Sequence, residues 1–251
     1  MEWQGDGIVL SSSKFGETDA LLEVMSRENG RHRGFVKGGS GKRLGPVLQA
    51  GNFLTLKWRS RIEENLGRFT VELDRSPLGL IMGDGLRLMT LSAMVSVVSA
   101  SLPERENHPA VYDSLKAMIE YVERSDVDPA GWAAALVRLE MGILSDLGYG
   151  LDLSECAATG SDEDLVYVSP KSARAVSRAA GRPYHDKLLT LPSFLMGPVV
   201  EEVGTRAAIE GLNLTGYFLE RQVWQVRHRT PPQARERLLS KLVSMAKKSV
   251  D

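Results

Sequence analysis

Nine lysine and arginine side chains fall between residues 27 and 61, against a single acid, Glu28. They are Arg27, Arg31, Arg33, Lys37, Lys42, Arg43, Lys57, Arg59 and Arg61, which give the segment a formal charge of +8 in a chain of net charge −1. Glycines and the aromatic residues Phe35, Phe53 and Trp58 are interspersed. Cations neutralise phosphates, rings stack on bases, and glycines allow close backbone approach. The pattern favours a nucleic-acid strand as ligand, and a solvated basic hairpin explains the charge equally well.

Residue types that could support catalysis do not form a recognisable set. The run from Gly38 to Arg43 is similar to a phosphate-binding loop, but Val36 replaces the first required glycine and Arg43 the magnesium-binding hydroxyl. The four histidines lack metal-ligand spacing, and the single cysteine, Cys156, cannot form an internal disulfide. The acids at residues 162–164 are typical of a solvated loop. A binding protein is therefore favoured over an enzyme.

Composition places the chain among ordinary globular proteins. Its 251 residues, of which 43% are hydrophobic, are enough for one large domain or two with packed cores. The first residues have no signal-peptide pattern, and no stretch approaches the roughly 18 apolar residues of a membrane span. We therefore expect a cytoplasmic protein. Charge is divided into blocks: residues 1–26 carry −4, residues 62–220 carry −11, and residues 221–251 carry +6.

The first 76 residues predict a small β-barrel. Short strand-like runs alternate with turn residues, and alternation of apolar and charged side chains is clearest from Phe53 to Trp58. The predicted strands are Ile8–Leu10, Ala20–Met25, Gly34–Lys37, Phe53–Trp58 and Arg68–Leu73. Five such strands fit an oligonucleotide-binding (OB) barrel, and an SH3-like barrel fits the spacing nearly as well.

Beyond Pro77 the hydrophobic period changes from two to about 3.6, which predicts a helical domain. Residues 77–150 form its first part, with Asp128 and Pro129 opening a helix that ends at Gly148. Residues 151–192 predict an irregular insert with one strand-like run, Leu165–Val168. Residues 193–251 predict further helices that complete the domain, the last of them a basic amphipathic helix over 233–248. The fold class is thus α+β and multidomain.

Two groups of motifs resemble one bacterial family. Gly7-Ile8-Val9-Leu10 followed by Gly16-Glu17-Thr18-Asp19 resembles the opening of the RecO family of recombination mediators. Arg138-Leu139-Glu140, then Leu147-Gly148-Tyr149-Gly150 and Cys156, is similar to that family's helix and the start of its zinc region. Both groups stand in the expected order along a chain of the expected length.

The resemblance implies an N-terminal OB-fold barrel, a helical domain and an insert that holds zinc in many relatives through two Cys-x-x-Cys pairs. This sequence departs from that pattern, because Thr159 stands where the second cysteine is expected and the second pair is missing. One remaining cysteine cannot build a tetrahedral zinc site. We therefore expect no metal and no cofactor, with apolar residues such as Leu165 and Val168 holding a zinc-less insert together.

The resemblance also implies function and partners. RecO-like proteins bind single- and double-stranded DNA, anneal complementary strands, and help place RecA on strands coated by single-stranded-DNA-binding protein (SSB). They work with RecR and in some cases with RecF, at the nucleoid, without covalent chemistry.

The residues assigned to these tasks come from the barrel and from the helical domain. Arg138 is the candidate contact for the acidic SSB tail, with an ordinary exposed helix arginine as the equally good alternative. The candidate phosphate contacts are Arg31, Arg33, Lys37, Lys42, Arg43, Lys57 and Arg59, and Phe35 and Trp58 are the candidate stacking residues. Whether the basic C-terminal helix binds DNA or protein is left open by the sequence.

Two other functions fit parts of the sequence. An RNA-binding or ribosome-associated barrel protein would carry the same cations, since phosphate contacts do not distinguish the two polymers. A metal-dependent nuclease would use carboxylates such as Asp152, Asp162 and Asp164. The second alternative is the weaker, because these acids have no recognisable spacing.

Overall fold

A computed structural model describes residues 1–62, 65–124, 126–197 and 203–248. The chain forms two compact units. The first is Met1–Ser125 with Pro232–Arg235, and the second is Asp126–Pro231 with Glu236–Asp251. The first unit therefore contains the N-terminal sheet together with the helices that follow it directly. The domain limits at residues 76, 150 and 192 stay a prediction.

Five strands close the N-terminal barrel. They are β1 (Glu2–Phe15), β2 (Asp19–Ser26), β3 (Gly30–Val36), β4 (Phe53–Arg59) and β5 (Arg68–Arg75). Their order around the barrel is β1-β2-β3-β5-β4, with β3 and β5 parallel and the other pairs antiparallel. This order is that of the OB fold, and it decides between the two barrel types that fitted the spacing.

Alternate residues of these strands fill the barrel core. Leu22 and Val24 of β2, Leu56 and Trp58 of β4, and Phe69 of β5 are each at most 2% exposed. The residues between them point outward, as the two-residue period of a strand requires. Strand β1 is much longer than predicted, because its polar continuation from Ser11 to Phe15 pairs with β2 beyond a register shift between Val9 and Ser11.

Three helices complete the first unit: α1 (Leu78–Ile81), α2 (Gly85–Ser101) and α3 (Pro109–Glu123). Helix α2 begins where the Asp84 carboxylate accepts hydrogen bonds from the backbone amides of Leu86 and Arg87. Helix α2 packs against β1. The apolar sequence of α2 is explained by burial of most of its middle and C-terminal residues.

The second unit contains α4 (Pro129–Asp146), α6 (Thr205–Phe218) and all but the first three residues of α7 (Gln233–Lys248). The predicted start and stop of α4 are confirmed: Asp128 accepts a hydrogen bond from the Gly131 amide at 2.7 Å, and Gly148 has φ +83°. A π-helical segment, Leu219–Trp224, continues α6. The sequence predicts helices within residues 193–251. In that range, residues 198–202 and 249–251 lie outside the described residues.

The insert is more regular than the sequence predicted. It forms an antiparallel sheet of β6 (Leu165–Val168), β7 (Ala175–Ser177) and β8 (Leu189–Thr190), in the order β7-β6-β8, beside the short helix α5 (Arg178–Gly181). Strands of two to four residues are too short to show a period in sequence. Val168 and Ala175 are fully buried, which fits an insert held together by apolar residues.

Cys156 belongs to this small core, where its thiol is 1% exposed. Burial raises the pKa of the thiol, but hydrogen bonds donated to the sulfur, including those from Ser177 and Thr159, outweigh that effect and bring the pKa to about 6. Cys156 is therefore a buried residue whose sulfur atom accepts hydrogen bonds.

Candidate nucleic-acid interface

Most of the predicted strand cations face carboxylates that are distant in sequence. Arg33 of β3 lies 2.9 Å from the Glu104 carboxylate. Lys57 and Arg59 of β4 share Glu2 of β1, at 2.8 and 2.7 Å. Hydrogen bonds from Arg59 and Lys57 lower the pKa of Glu2 to about 2, so this carboxylate is ionised at neutral pH. The free positive charge of the barrel is thus smaller than the sequence count.

Arg31 is held by contacts within the fold, a setting that does not favour its predicted role as a phosphate contact. The residue is 6% exposed, and its guanidinium forms a buried ion pair with Glu23 of β2. Its Nε donates to the Leu102 carbonyl oxygen at 3.0 Å. The Ser99 hydroxyl also reaches Glu23, at 3.1 Å. A guanidinium held on both sides in this way cannot meet a phosphate without opening the unit.

The loop between β3 and β4 carries cations in a different setting. Lys37, Lys42 and Arg43 are exposed, and no ion pair or hydrogen bond engages their side chains in the described parts of the chain. The loop is nevertheless ordered by its backbone: the Gly38 amide, at φ +67°, donates to the Asp19 carboxylate at 2.9 Å. This hydrogen bond lowers the pKa of Asp19. The loop therefore presents unpaired cations on a defined backbone.

The two predicted stacking residues lie in opposite environments. Trp58 is 2% exposed in the barrel core, and its indole nitrogen donates to the Leu66 carbonyl at 3.2 Å, a setting that does not favour its predicted role in stacking. Phe35 is half-buried on the outer face. Its ring centroid lies 4.5 Å from that of Phe15, which is 51% exposed. Sequence reasoning missed Phe15, although Lys14 beside it was a possible signal.

A cationic groove lies on the outer face of β4 and β5. It is lined by Lys57, Arg59, Arg61, Arg68 and Thr70, together with Met1 and Glu2. Arg59 and Arg68 are direct partners in the antiparallel register of these strands. Like charges placed opposite each other destabilise a sheet unless an anion lies between them. Glu2 supplies one anion for Lys57 and Arg59, whereas no carboxylate pairs with Arg61 or Arg68 in the described residues.

The groove continues toward the aromatic pair. Arg68 of β5 is the partner of Phe35 in the parallel register with β3 and of Arg59 in the register with β4. Arg59, Arg68 and Phe35 therefore form one row across three strands on the outer face. Arg61 and Arg68 were absent from the predicted set, and Arg68 lies outside the basic segment of residues 27–61.

Arg138 lies in the second unit, on α4. Its guanidinium sits 5.3 Å from the centre of the Phe194 ring and donates to the Phe194 carbonyl oxygen at 3.2 Å. Its predicted contact with an SSB tail stays a prediction. On α7, Arg237, Lys241, Lys247 and Lys248 are exposed, so a basic surface on the C-terminal helix is present without an assigned ligand.

The acids considered for a nuclease do not form a site. Asp152 accepts hydrogen bonds from Ser154 and Arg174, and Asp164 pairs with Arg178. No group of three histidine, cysteine or acidic residues in the described ranges could hold a metal ion. Within the same ranges, no helix has the length and apolar character needed to cross a membrane.

Fold and surface define an OB-fold protein with a cationic, aromatic outer face and a helical continuation. Family comparison identifies it further: residues 1–76 match the model described as "Recombination protein O N terminal", and residues 82–231 match "Recombination protein O C terminal". The chain belongs to the RecO family, a family of DNA repair and recombination proteins.

Individual relatives agree with the family match. The chain is 45% identical over 240 residues to the DNA repair protein RecO of Methylobacterium nodulans, covering 94% of this chain and 96% of the relative. It is 44% identical over 243 residues to that of Rhodospirillum centenum, covering 96% and 94%. For the protein of Brucella abortus the values are 41% over 248 residues, with 96% and 95% covered.

Proposed function

We propose that this protein is a recombination mediator that binds single- and double-stranded DNA and anneals complementary strands. Together with a RecR partner, and in some settings RecF, it helps load RecA onto SSB-coated single strands at the nucleoid. It makes and breaks no covalent bonds. Family membership supports the role in repair, and the barrel surface supports the binding of a polynucleotide.

The observation that carries the proposal is the row of Arg59, Arg68 and Phe35 beside Arg61, a groove cation that pairs with no carboxylate among the described residues. Guanidinium groups that lie opposite each other without enough carboxylates favour an anionic ligand. Phosphates spaced along a strand supply repeated anions, and a neighbouring aromatic pair supplies a surface for bases. Lys37, Lys42 and Arg43 add exposed positive charge on the β3–β4 loop.

The same geometry supports the annealing of complementary strands. Two complementary strands repel each other through their phosphates, and exposed cations lower this repulsion by replacing condensed counterions. Contacts limited to phosphates and base faces leave the Watson–Crick edges free to pair. No deep base-reading cleft is needed, and an open strand face fits that task.

The partner contact is proposed for the second unit. Arg138 lies beside the Phe194 ring and thus combines a cation with an apolar surface, a setting suited to the carboxylate end of an acidic peptide. Replacing Arg138 with alanine should weaken binding of an SSB-tail peptide. Arg206→Ala is the matched control, because Arg206 is an exposed helix arginine of the same unit.

The experiment that tests the whole function is annealing of labelled complementary strands coated with SSB, with and without the acidic SSB tail. We expect annealing that depends on the tail, intact strands in magnesium or manganese, and affinity for DNA that falls with salt by roughly 0.7 log units per contact per decade. A preference for RNA over single-stranded DNA with no annealing would contradict the proposal and favour the RNA-binding alternative. Cleavage of the strands would favour the nuclease.

A further inference from the structure

A second pocket adjoins the cationic groove at the end of the barrel where β1 begins and β4 ends. Its wall contains Trp3, Glu28, Asn29, His32, Trp58, Arg105 and Asn107. Met1 and Glu2 line both this pocket and the cationic groove, so the two concavities are neighbours. The groove is cationic, and the pocket combines aromatic rings and amide groups with the Glu28 carboxylate at its wall.

The aromatic part of the pocket is a packed cluster with one accessible member. The Trp3 ring stacks on Trp58 with centroids 6.2 Å apart and planes 21° apart, and His32 meets Trp58 edge-on at 4.8 Å. Trp58 and His32 are buried, whereas Trp3 is half-buried. Trp3 is therefore the ring that can offer a surface to a planar ligand.

One hydrogen-bonding group in this wall is left without a partner. The indole nitrogen of Trp3 is buried and has no hydrogen-bond partner among the described residues, and His32 is 5% exposed. Buried polar groups without partners are uncommon and cost about 1–3 kcal/mol each. Burial and the nearby charge of Arg105 lower the pKa of His32 to about 4, so the imidazole is neutral at pH 7.

The segment that closes the pocket is held in a strained conformation. Arg105 has φ +64°, which is uncommon for a bulky residue, and its amide donates to the Arg31 carbonyl at 2.7 Å. Its side chain donates to the Asn65 carbonyl at 2.8 Å and lies 6.0 Å from the Trp58 ring centre. A Cβ on Gly30 would lie 1.7 Å from the Glu106 carbonyl oxygen, so glycine is required there. Strain that is maintained in this way is typical of functional sites.

We propose that the aromatic pocket receives one unstacked nucleobase of a single strand whose phosphates lie in the adjoining cationic groove. Trp3 provides the stacking surface, and Asn29 and Asn107 provide amide groups at the rim. The proposal rests on the proposed function, since it requires the strand to occupy the groove. It assigns one base contact to this end of the barrel, in addition to the surface that the Phe15–Phe35 pair offers to other bases.

The test compares oligo(dT) with an abasic deoxyribose-phosphate oligomer of the same length, which has the same phosphates and no bases. Stacking of one base corresponds to roughly 5- to 160-fold tighter binding of oligo(dT). Trp3→Phe, which keeps an aromatic packing residue, and Asn107→Ala should each reduce this ratio several-fold while leaving affinity for the abasic oligomer unchanged. Tryptophan fluorescence should be quenched by oligo(dT) and not by the abasic oligomer.

Control variants separate the possible outcomes. Asn213→Ala on α6, an exposed asparagine of the second unit, should not change the ratio. If Phe35→Leu lost the preference for oligo(dT) over the abasic oligomer while Trp3→Phe kept it, the base would lie on the Phe15–Phe35 pair. That result would overturn the inference. Equal binding of both oligomers by the unmodified protein would overturn the inference alone, whereas binding of neither would overturn the proposed function.

Discussion

The strands of the barrel and its β3–β4 loop carry cations of the same types in different electrostatic settings. On the strands, Arg31 and Arg33 face carboxylates from β2 and from the segment after α2. On the loop, Lys42 and Arg43 have no such partner among the described residues. This difference shows that cations clustered along a sequence can belong to two populations. One population holds the fold together, and the other remains available to a ligand.

The largest expected difference between the two populations is in stability. Replacing Arg31 with methionine leaves the Glu23 carboxylate buried without its partner, which should lower the free energy of unfolding by about 3–5 kcal/mol. Lys42→Ala should change it by no more than about 0.5 kcal/mol. Urea denaturation of both variants measures this difference. A loss for Arg31→Met as small as the one expected for Lys42→Ala would show that the buried pair has no structural role. A combined Glu23→Gln and Arg31→Met variant should recover part of the loss.

The next effect concerns the salt dependence of DNA binding. Alanine at both Lys42 and Arg43 should reduce the slope of log affinity against log salt by about 1.4, at roughly 0.7 per lost contact with a single strand. Titrations at several salt concentrations give the slope directly. Alanine at both Lys247 and Lys248 on α7 is the matched control. A smaller slope in the Lys247 and Lys248 variant, with an unchanged slope in the loop variant, would place the main DNA contact on the C-terminal helix.

The smallest effect concerns the exposed carboxylate of Glu2, which pairs with two cations of the groove. Glu2→Gln removes the partner of Lys57 and Arg59, so both cations become available and affinity for single strands should rise about two- to tenfold at low salt. Because the Glu2 pKa is about 2, the gain should be constant between pH 5 and 8. Titrations at both pH values check this expectation, and an unchanged affinity would indicate that the groove is not the DNA site.

The Glu2 carboxylate also contributes to the stability of the fold, and this contribution depends on pH. Its pKa is lowered on folding, so the ion pairs with Lys57 and Arg59 stabilise the folded state above the ordinary pKa of 4.5. That contribution is lost as the pH falls toward 2. Melting temperatures of the unmodified protein and of Glu2→Gln should therefore converge at low pH, which provides an internal check on the pairing.

Local patterns predicted much of the fold and part of the site. The alternation from Phe53 to Trp58, the capping pair Asp128 and Pro129, and the amphipathic period of 233–248 each depend on neighbouring residues, and each predicted its element correctly. The short strands β7 and β8 escaped, because two or three residues cannot display a period. The exposed cations Lys37, Lys42 and Arg43 were found by charge alone, whereas Arg68 and Phe15 lie in stretches with no local charge excess.

The sequence by itself determined the family, the barrel with its helical continuation, and the presence of a basic segment, because these depend on residue type and on spacing along the chain. Only the tertiary structure decided which cations are available, because their partners Glu2, Glu23 and Glu104 are distant in sequence and meet them across strands. It also decided that Trp58 faces the core while Phe35 faces outward, since strand register assigns each side chain to a face. The pocket of Trp3, His32 and Arg105 likewise exists only because three separate segments meet at one end of the barrel.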